Sequence, residues 1–273
     1  MHQPSRQTGF SLIEMIMVIS ITAIVGAMVA TFLRVPIDSY VAQDRRVRLT
    51  DAADTALRRM ERDIRLGLPN SVRVTMVGTT TYLEFLITRT GGRYRAEGGG
   101  DILDFTAADN SFDVLGPPPT MQAGDLIAVY NLGITGADAW ESGAGSTLAT
   151  FTGIAGSTIS IAPRQFPLAS PGNRFQVVEG PVTYVCTPNA ANPNLGTLMR
   201  VWGYPLALSP LGQPTAFAAG TPQALLARQV RACTITYQPG ITERGGLVSM
   251  TLELTQTGET VRLHSNSQVS NQP

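Results

Sequence analysis

Lysine is absent from this chain of 273 residues, and all 20 of its basic side chains are arginines. This absence excludes Schiff-base catalysis by lysine and phosphate binding by a P-loop lysine. The chain has two cysteines and two histidines without metal-ligand spacing, which excludes a cysteine-ligated zinc site. Charged residues make up only 15% and cancel to a formal net charge of +0, so a protein that binds nucleic acid by neutralising phosphates is not predicted.

One long apolar run lies near the N-terminus. Residues 15–33, MIMVISITAIVGAMVATFL, are 19 residues without a formal charge. A helix of this length spans roughly 28 Å, close to the hydrocarbon core of a bilayer at about 30 Å. A buried core helix is the alternative, but core helices are seldom this uniformly apolar. Because no small-residue cleavage site follows the run, we expect a retained membrane helix rather than a secretory signal peptide.

Glu14 is the exception at the start of this apolar segment, where Phe10, Leu12 and Ile13 precede it. A carboxylate at the end of a membrane helix is costly unless it has a partner or reaches water. The residues leave two interpretations open. Glu14 is either an interfacial residue that marks the end of the span, or a carboxylate that pairs with a positive group in an assembly.

The hexapeptide Gly9-Phe10-Ser11-Leu12-Ile13-Glu14, followed by the apolar run, resembles the class III signal of type IV prepilins and type II secretion pseudopilins. The resemblance implies that a prepilin peptidase cleaves between Gly9 and Phe10 and that the new terminus at Phe10 is N-methylated. It implies that Glu14 pairs with the Phe10 amine of a neighbouring subunit. It also implies a single-pass protein of the bacterial inner membrane, with its globular domain in the periplasm, that later enters a pilus or pseudopilus.

Four further segments resemble MshO-type minor pilins of MSHA pilus biogenesis, and the resemblance implies a low-copy subunit that acts in pilus assembly, in initiation or at the tip. The implied partners are other minor and major pilins, the inner-membrane assembly platform and, before assembly, inner-membrane lipid. The alternatives are a J-type minor pseudopilin of a type II secretion system, or a tip adhesin that binds a glycan or a surface. The resembling segments are 51–74, 101–116, 199–206 and 258–273.

No enzyme is predicted, because no convergent set of acid, base and nucleophile is legible and no cofactor motif occurs. Trp140, Trp202 and Tyr204 could form a sugar-stacking platform, although such residues are more often packed in a core. One acidic cluster is a candidate calcium site, although such residues more often have a structural role at turns and strand ends. Its members are Asp101, Asp104, Asp109 and Asp113.

The predicted fold is α+β and pilin-like, with a long N-terminal helix packed on an antiparallel, β-rich globular domain. We expect a leader at 1–9, a transmembrane helix at 10–36, a periplasmic half of the helix at 37–69 and the globular domain at 70–273. Pro36 predicts a kink or a short break around residues 34–37. An apolar stripe with helical spacing predicts the face that anchors the periplasmic half: Leu49, Ala53, Ala56, Met60 and Ile64.

After residue 70 the pattern changes to short strands separated by turns. A hairpin is predicted around Gln256-Thr257-Gly258, and the polar tail 265–273 is predicted to be loosely held. Cys186 and Cys233 fall in the part expected to be periplasmic, where disulfides persist, and we expect them to form one; two separate buried thiols are the alternative. The expected strands are 72–77, 80–88, 125–132, 147–151, 158–162, 174–178, 182–186, 197–203, 232–238, 247–255 and 259–264.

Overall fold

The computed structural model describes residues 9–240 and 245–271, with no side chains described for 33–38. The chain divides into two compact units, Met1–Arg48 and Leu49–Pro273. One helix, α1 (Leu12–Arg65), begins in the first unit and ends in the second. The strands of the described residues pair antiparallel in two sheets, so the fold is α+β with a long N-terminal helix, as predicted.

The described residues of the first unit are residues 9–11 and the N-terminal part of α1. Its segment Leu12–Phe32 is long and apolar enough to cross a membrane. The mean hydropathy of this segment is 2.4, and none of it is buried within the chain. The break expected around Pro36 is wrong, because the backbone is helical through residues 34–37. A proline removes its own amide donor and its ring clashes with the carbonyl four residues earlier, which kinks some helices and ends others. The helix does not end here, and the predicted kink stays a prediction.

The C-terminal part of α1 belongs to the second unit and confirms the predicted stripe. All five of its apolar residues are buried, with Ala53 and Ile64 fully so. They share one core with residues from both sheets, including Phe85, Tyr184 and Met250. Burial of this stripe supplies most of the anchoring, since an i,i+4 ion pair contributes only ~0.2–0.5 kcal/mol.

In residues 9–240 and 245–271, twelve strands form a nine-stranded and a three-stranded antiparallel sheet. The larger has the order β1-β2-β7-β4-β5-β6-β3, with β8 pairing with β7 and β9; the smaller has the order β10-β11-β12. The strands are β1 (Arg73–Val77), β2 (Thr80–Arg93), β3 (Asp109–Asp113), β4 (Leu126–Ala128), β5 (Leu148–Ala155), β6 (Thr158–Arg164), β7 (Arg174–Thr187), β8 (Thr197–Trp202), β9 (Gln223–Arg228), β10 (Val230–Gln238), β11 (Gly246–Gln256) and β12 (Glu259–Val269).

The predicted hairpin is confirmed: β11 and β12 pair in register from Gln256–Glu259 to Gly246–Val269. Thr257 and Gly258 both have positive φ, at 48° and 86°, which a two-residue type I′ turn requires. The prediction of a loosely held tail is wrong as far as Val269. This residue lies in β12 and is 1% exposed. Although the segment is polar in sequence, β11 pairs with it along the whole length of β12.

Candidate processing and assembly site

The N-terminal motif forms the start of α1. Ser11 is the residue before the helix, and its Oγ accepts a hydrogen bond from the Glu14 amide at 3.4 Å. The Glu14 carboxylate accepts in return from the Ser11 amide, also at 3.4 Å. This reciprocal arrangement is a capping box, which satisfies two amide donors that the first turn leaves open. The sequence carried its S-x-x-E signature, and the sequence interpretation missed it.

The helix that follows exposes apolar side chains in every direction. Phe10 is 79% exposed, Leu12 81% and Phe32 85% in the isolated chain. The two threonine hydroxyls of this segment donate to carbonyls one turn back, Thr22 to Val18 at 2.6 Å and Thr31 to Ala27 at 2.8 Å. Each of these two threonine hydroxyls is therefore satisfied within the helix itself, as contact with lipid or with a helix bundle requires.

Comparison with known proteins gives one match: the family model of the prokaryotic N-terminal methylation motif matches residues 4–30. The chain has a type IV prepilin-like N-terminus. The match includes Gly9, Phe10 and Glu14, and it implies processing by a prepilin peptidase and assembly with other pilins. Together with the apolar helix it fits a protein anchored in the inner membrane and indicates a structural, non-enzymatic role. No curated protein and no solved structure matches the chain.

The four aspartates of the acidic cluster lie in the loop before β3 and in β3 itself, and each of the last three accepts local hydrogen bonds. Asp109 accepts from the Asp104 amide, and Asp104 accepts from the Thr106 amide and hydroxyl. These bonds from Thr106 lower the pKa of Asp104. In residues 9–240 and 245–271, no three potential metal-ligating side chains come together.

Asp113 closes the same loop onto β6. Its carboxylate accepts from the Thr158 hydroxyl at 2.7 Å and from the Asp101 amide at 3.1 Å, and these bonds lower its pKa. Arg95 lies 3.4 Å from it. The carboxylates of Asp104, Asp109 and Asp113 therefore hold a loop and a strand end in place. This is the structural role that the sequence analysis gave as the alternative to a calcium site.

Cys186 and Cys233 form a disulfide with a Cα–Cα distance of 6.7 Å. Cys186 lies on β7 of the larger sheet and Cys233 on β10 of the smaller one. The bond therefore joins the two sheets beside α1, where Met60 and Leu57 line the space around both sulfurs. Cys186 is fully buried and Cys233 is half-buried.

A buried charge network that the sequence did not predict lies on the face of β2 that points away from the core shared with α1. Glu84 is fully buried, and Arg73 on the neighbouring β1 lies 2.5 Å from its Oε2. Tyr204 donates to Glu84 Oε1 at 2.8 Å and is 2.6 Å from the Thr183 hydroxyl. Burial raises the pKa of Glu84, while the hydrogen bond and charge of Arg73 and the bond from Tyr204 oppose the shift.

The same network holds the loop between β8 and β9 across the sheet. Arg73 Nη2 donates to the carbonyls of Ala207 at 3.3 Å and Gly212 at 3.4 Å. Its guanidinium lies 3.6 Å from the ring centroid of Trp140, a cation–π contact. Trp140 is 7% and Tyr204 8% exposed, so these two residues pack in the interior and do not form an exposed sugar platform.

A second network ties α1 to the sheet. Asp63 is 2% exposed, and its Oδ2 accepts from the Tyr184 hydroxyl at 2.8 Å and from Arg200 Nε at 2.6 Å. Arg59, one turn earlier on α1, lies 3.2 Å from Oδ1. Burial, and then the negative charge of Asp63, raise the pKa of Tyr184. On α1, three further i,i+4 ion pairs with the acidic residue first have distances of 2.6–3.7 Å among the described residues: Asp44–Arg48, Asp54–Arg58 and Glu61–Arg65.

Proposed function

We propose that this chain is a minor pilin of a type IV pilus of the MSHA class, acting in pilus assembly, in initiation or at the tip. The observation that carries the proposal is the prepilin-like motif at residues 4–30, which leads into the apolar helical segment Leu12–Phe32, of which no part is buried within the chain. Such a helix needs lipid before assembly and neighbouring helices afterwards. The disulfide-bonded β domain behind it supports a protein whose globular part lies in the periplasm.

In this proposal, cleavage between Gly9 and Phe10 releases a charged amine four positions before Glu14. Within the chain the Glu14 carboxylate meets only the Ser11 amide among the described residues, at a long 3.4 Å, so it retains acceptor capacity for a charged partner. The Phe10 amine of a neighbouring subunit supplies that partner when the helices bundle. Burying either charge alone costs about 3–5 kcal/mol, which makes the pair a condition for docking.

The capping box permits a sharp test of this pairing. Glu14→Gln keeps an acceptor for the Ser11 amide but removes the charge, whereas Ser11→Ala removes the side-chain cap and keeps the carboxylate. We expect Glu14→Gln to be cleaved and to reside in the membrane, yet to fail to co-purify with other pilins from detergent. Ser11→Ala should assemble. If Glu14→Gln assembles as the parent does, Glu14 is an interfacial residue without a role in docking.

The motif serves pili and type II secretion alike, so the MSHA assignment needs its own experiment. A strain that lacks this gene should lose surface pili and keep normal secretion through its type II system. The complementing control is the parent gene, and Glu14→Gln should fail to restore the pili. Loss of secretion with normal piliation would instead make the chain a minor pseudopilin.

A further inference from the structure

β12 is an unusually regular edge strand. Its 11 residues pair with β11 alone, in one register without a bulge. In the described part of the chain, no hydrogen bond joins its backbone from Thr260 to Val269 to any group outside β11. One whole side of the strand therefore presents open amide and carbonyl groups.

The other outer strands are shorter or interrupted. At the ends of the larger sheet, β1 and β3 have 5 residues each and β9 has 6. β10, the opposite edge of the smaller sheet, has a register shift between Val230 and Ala232 and is joined to β7 by the disulfide. Proteins usually blunt edges with bulges, prolines or several charges. β12 has no bulge, no proline and a single cationic residue, Arg262.

We propose that β12 pairs antiparallel with β12 of a second copy of this chain, so that two three-stranded sheets become one of six strands. The pairing has its two-fold axis at His264, which then faces its own copy. Arg262 faces Asn266, and Thr260 faces Gln268. These five side chains are exposed in the single chain, and no like charges meet between Thr260 and Gln268 in this register.

The charge pattern of the sheet permits this pairing. Within the chain, Arg231 on β10 lies 2.9 Å from Glu253 on β11, and Glu253 is in register with Arg262 on β12. The charges of these three side chains therefore alternate across the three strands, and the one on the open edge strand, Arg262, is positive. In the proposed pair, a neutral amide from Asn266 meets that end, which costs no like-charge contact.

The register predicts opposite effects for two substitutions at one exposed residue. Asn266→Arg places two Arg–Arg pairs across the axis, and Asn266→Glu places two Glu–Arg pairs there. Inside the chain, residue 266 faces only Ser249, so both variants should fold. From typical cross-strand energies, we expect about 2- to 30-fold weaker dimerisation for Asn266→Arg and a similar strengthening for Asn266→Glu. Arg262→Asn combined with Asn266→Arg exchanges the two side chains without placing like charges opposite each other, and should restore the pairing.

The measurement is sedimentation of the full chain in detergent micelles across a range of concentrations. Association through the apolar helix would be the same in all variants, so equal dimerisation of the parent, Asn266→Arg and Asn266→Glu overturns the proposal. A monomer in every variant also overturns it, as does a parent that remains monomeric and binds only a different protein. These results leave the proposed pilin function untouched, because that function is tested through Glu14.

Cross-linking locates the axis independently. Both native cysteines are in the disulfide, so His264→Cys introduces one free thiol, and under mild oxidation it should link two copies. Gln268→Cys is the matched control. It is exposed on the same strand, but its two copies would lie roughly 27 Å apart, at about 3.4 Å per residue. Equal cross-linking of the two variants would refute the register.

Discussion

Replacing Arg73 tests how much this residue contributes to stabilising the buried carboxylate of Glu84 in the larger sheet. Its guanidinium lies 2.5 Å from Glu84, donates to two carbonyls of the loop after β8 and stacks on Trp140. Arg73→Met keeps much of the side-chain volume and removes the charge and all of these donors. Glu84 is fully buried, and among the described residues the Tyr204 hydroxyl is then the one hydrogen-bond partner left to its carboxylate.

The expected cost is large and depends on pH. A buried carboxylate that loses its cation destabilises a protein by about 3–5 kcal/mol. Burial already raises the pKa of Glu84 in the folded protein, and Arg73 is the main influence against that rise. In Arg73→Met the pKa therefore rises further. The folded state then binds a proton more readily than the unfolded state, so stability falls as pH increases from the ordinary carboxyl value through the raised one.

The assay is urea unfolding of the full chain in detergent, followed by tryptophan fluorescence at pH 5 and pH 8. Trp140 is a suitable reporter because Arg73 covers its ring. The penalty relative to the parent should be greater at pH 8 than at pH 5. Arg58→Met is the control: it breaks an exposed i,i+4 pair with Asp54, and its small effect should not change with pH. An equal penalty for Arg73→Met at both pH values, or none at pH 8, would contradict the reasoning.

Two further predictions concern processing and the disulfide. Gly9→Val should leave an uncut precursor in the membrane, because the peptidase must accommodate a residue without a side chain before Phe10; a normal methyl-Phe10 terminus by mass spectrometry would contradict this. Cys186→Ser opens a bridge across a sequence separation of 47 and should lower the free energy of unfolding by about 4 kcal/mol by chain entropy, measured by urea unfolding. Thiol labelling of the unfolded, unreduced chain should find none in the parent and one in the variant.

The parts of the fold that the sequence predicted depend on short-range patterns. The stripe from Leu49 to Ile64 has helical spacing, so its buried face could be predicted without knowing the partner. The type I′ hairpin could be predicted from Gly258 and the alternation on both sides of it. The N-terminal site could also be predicted from neighbouring residues, since Gly9 to Glu14 form one contiguous motif. The capping box could have been recognised from the same residues.

The errors arose where a tertiary partner overrides a local signal. Gly180-Pro181 indicates a turn, and two strands were predicted there, but β7 is a single strand of 14 residues. A register shift in β2 between Ile87 and Thr88 accommodates the irregularity opposite Gly180. β9 was missed because QALLAR has no strand periodicity and forms a strand only by pairing with β8.

The buried charges could not be predicted for a related reason. Asp63 follows Arg59 at i,i+4 spacing, so its sequence context indicates one more solvated helix pair. The structure instead brings Tyr184 and Arg200 to it from 121 and 137 residues away. Only a long-range pairing can make such a carboxylate tolerable in the interior, since burial without cations and donors costs several kcal/mol. A sequence pattern shows which side chains could be charged partners, but only the sheet register determines which carboxylates the protein can bury.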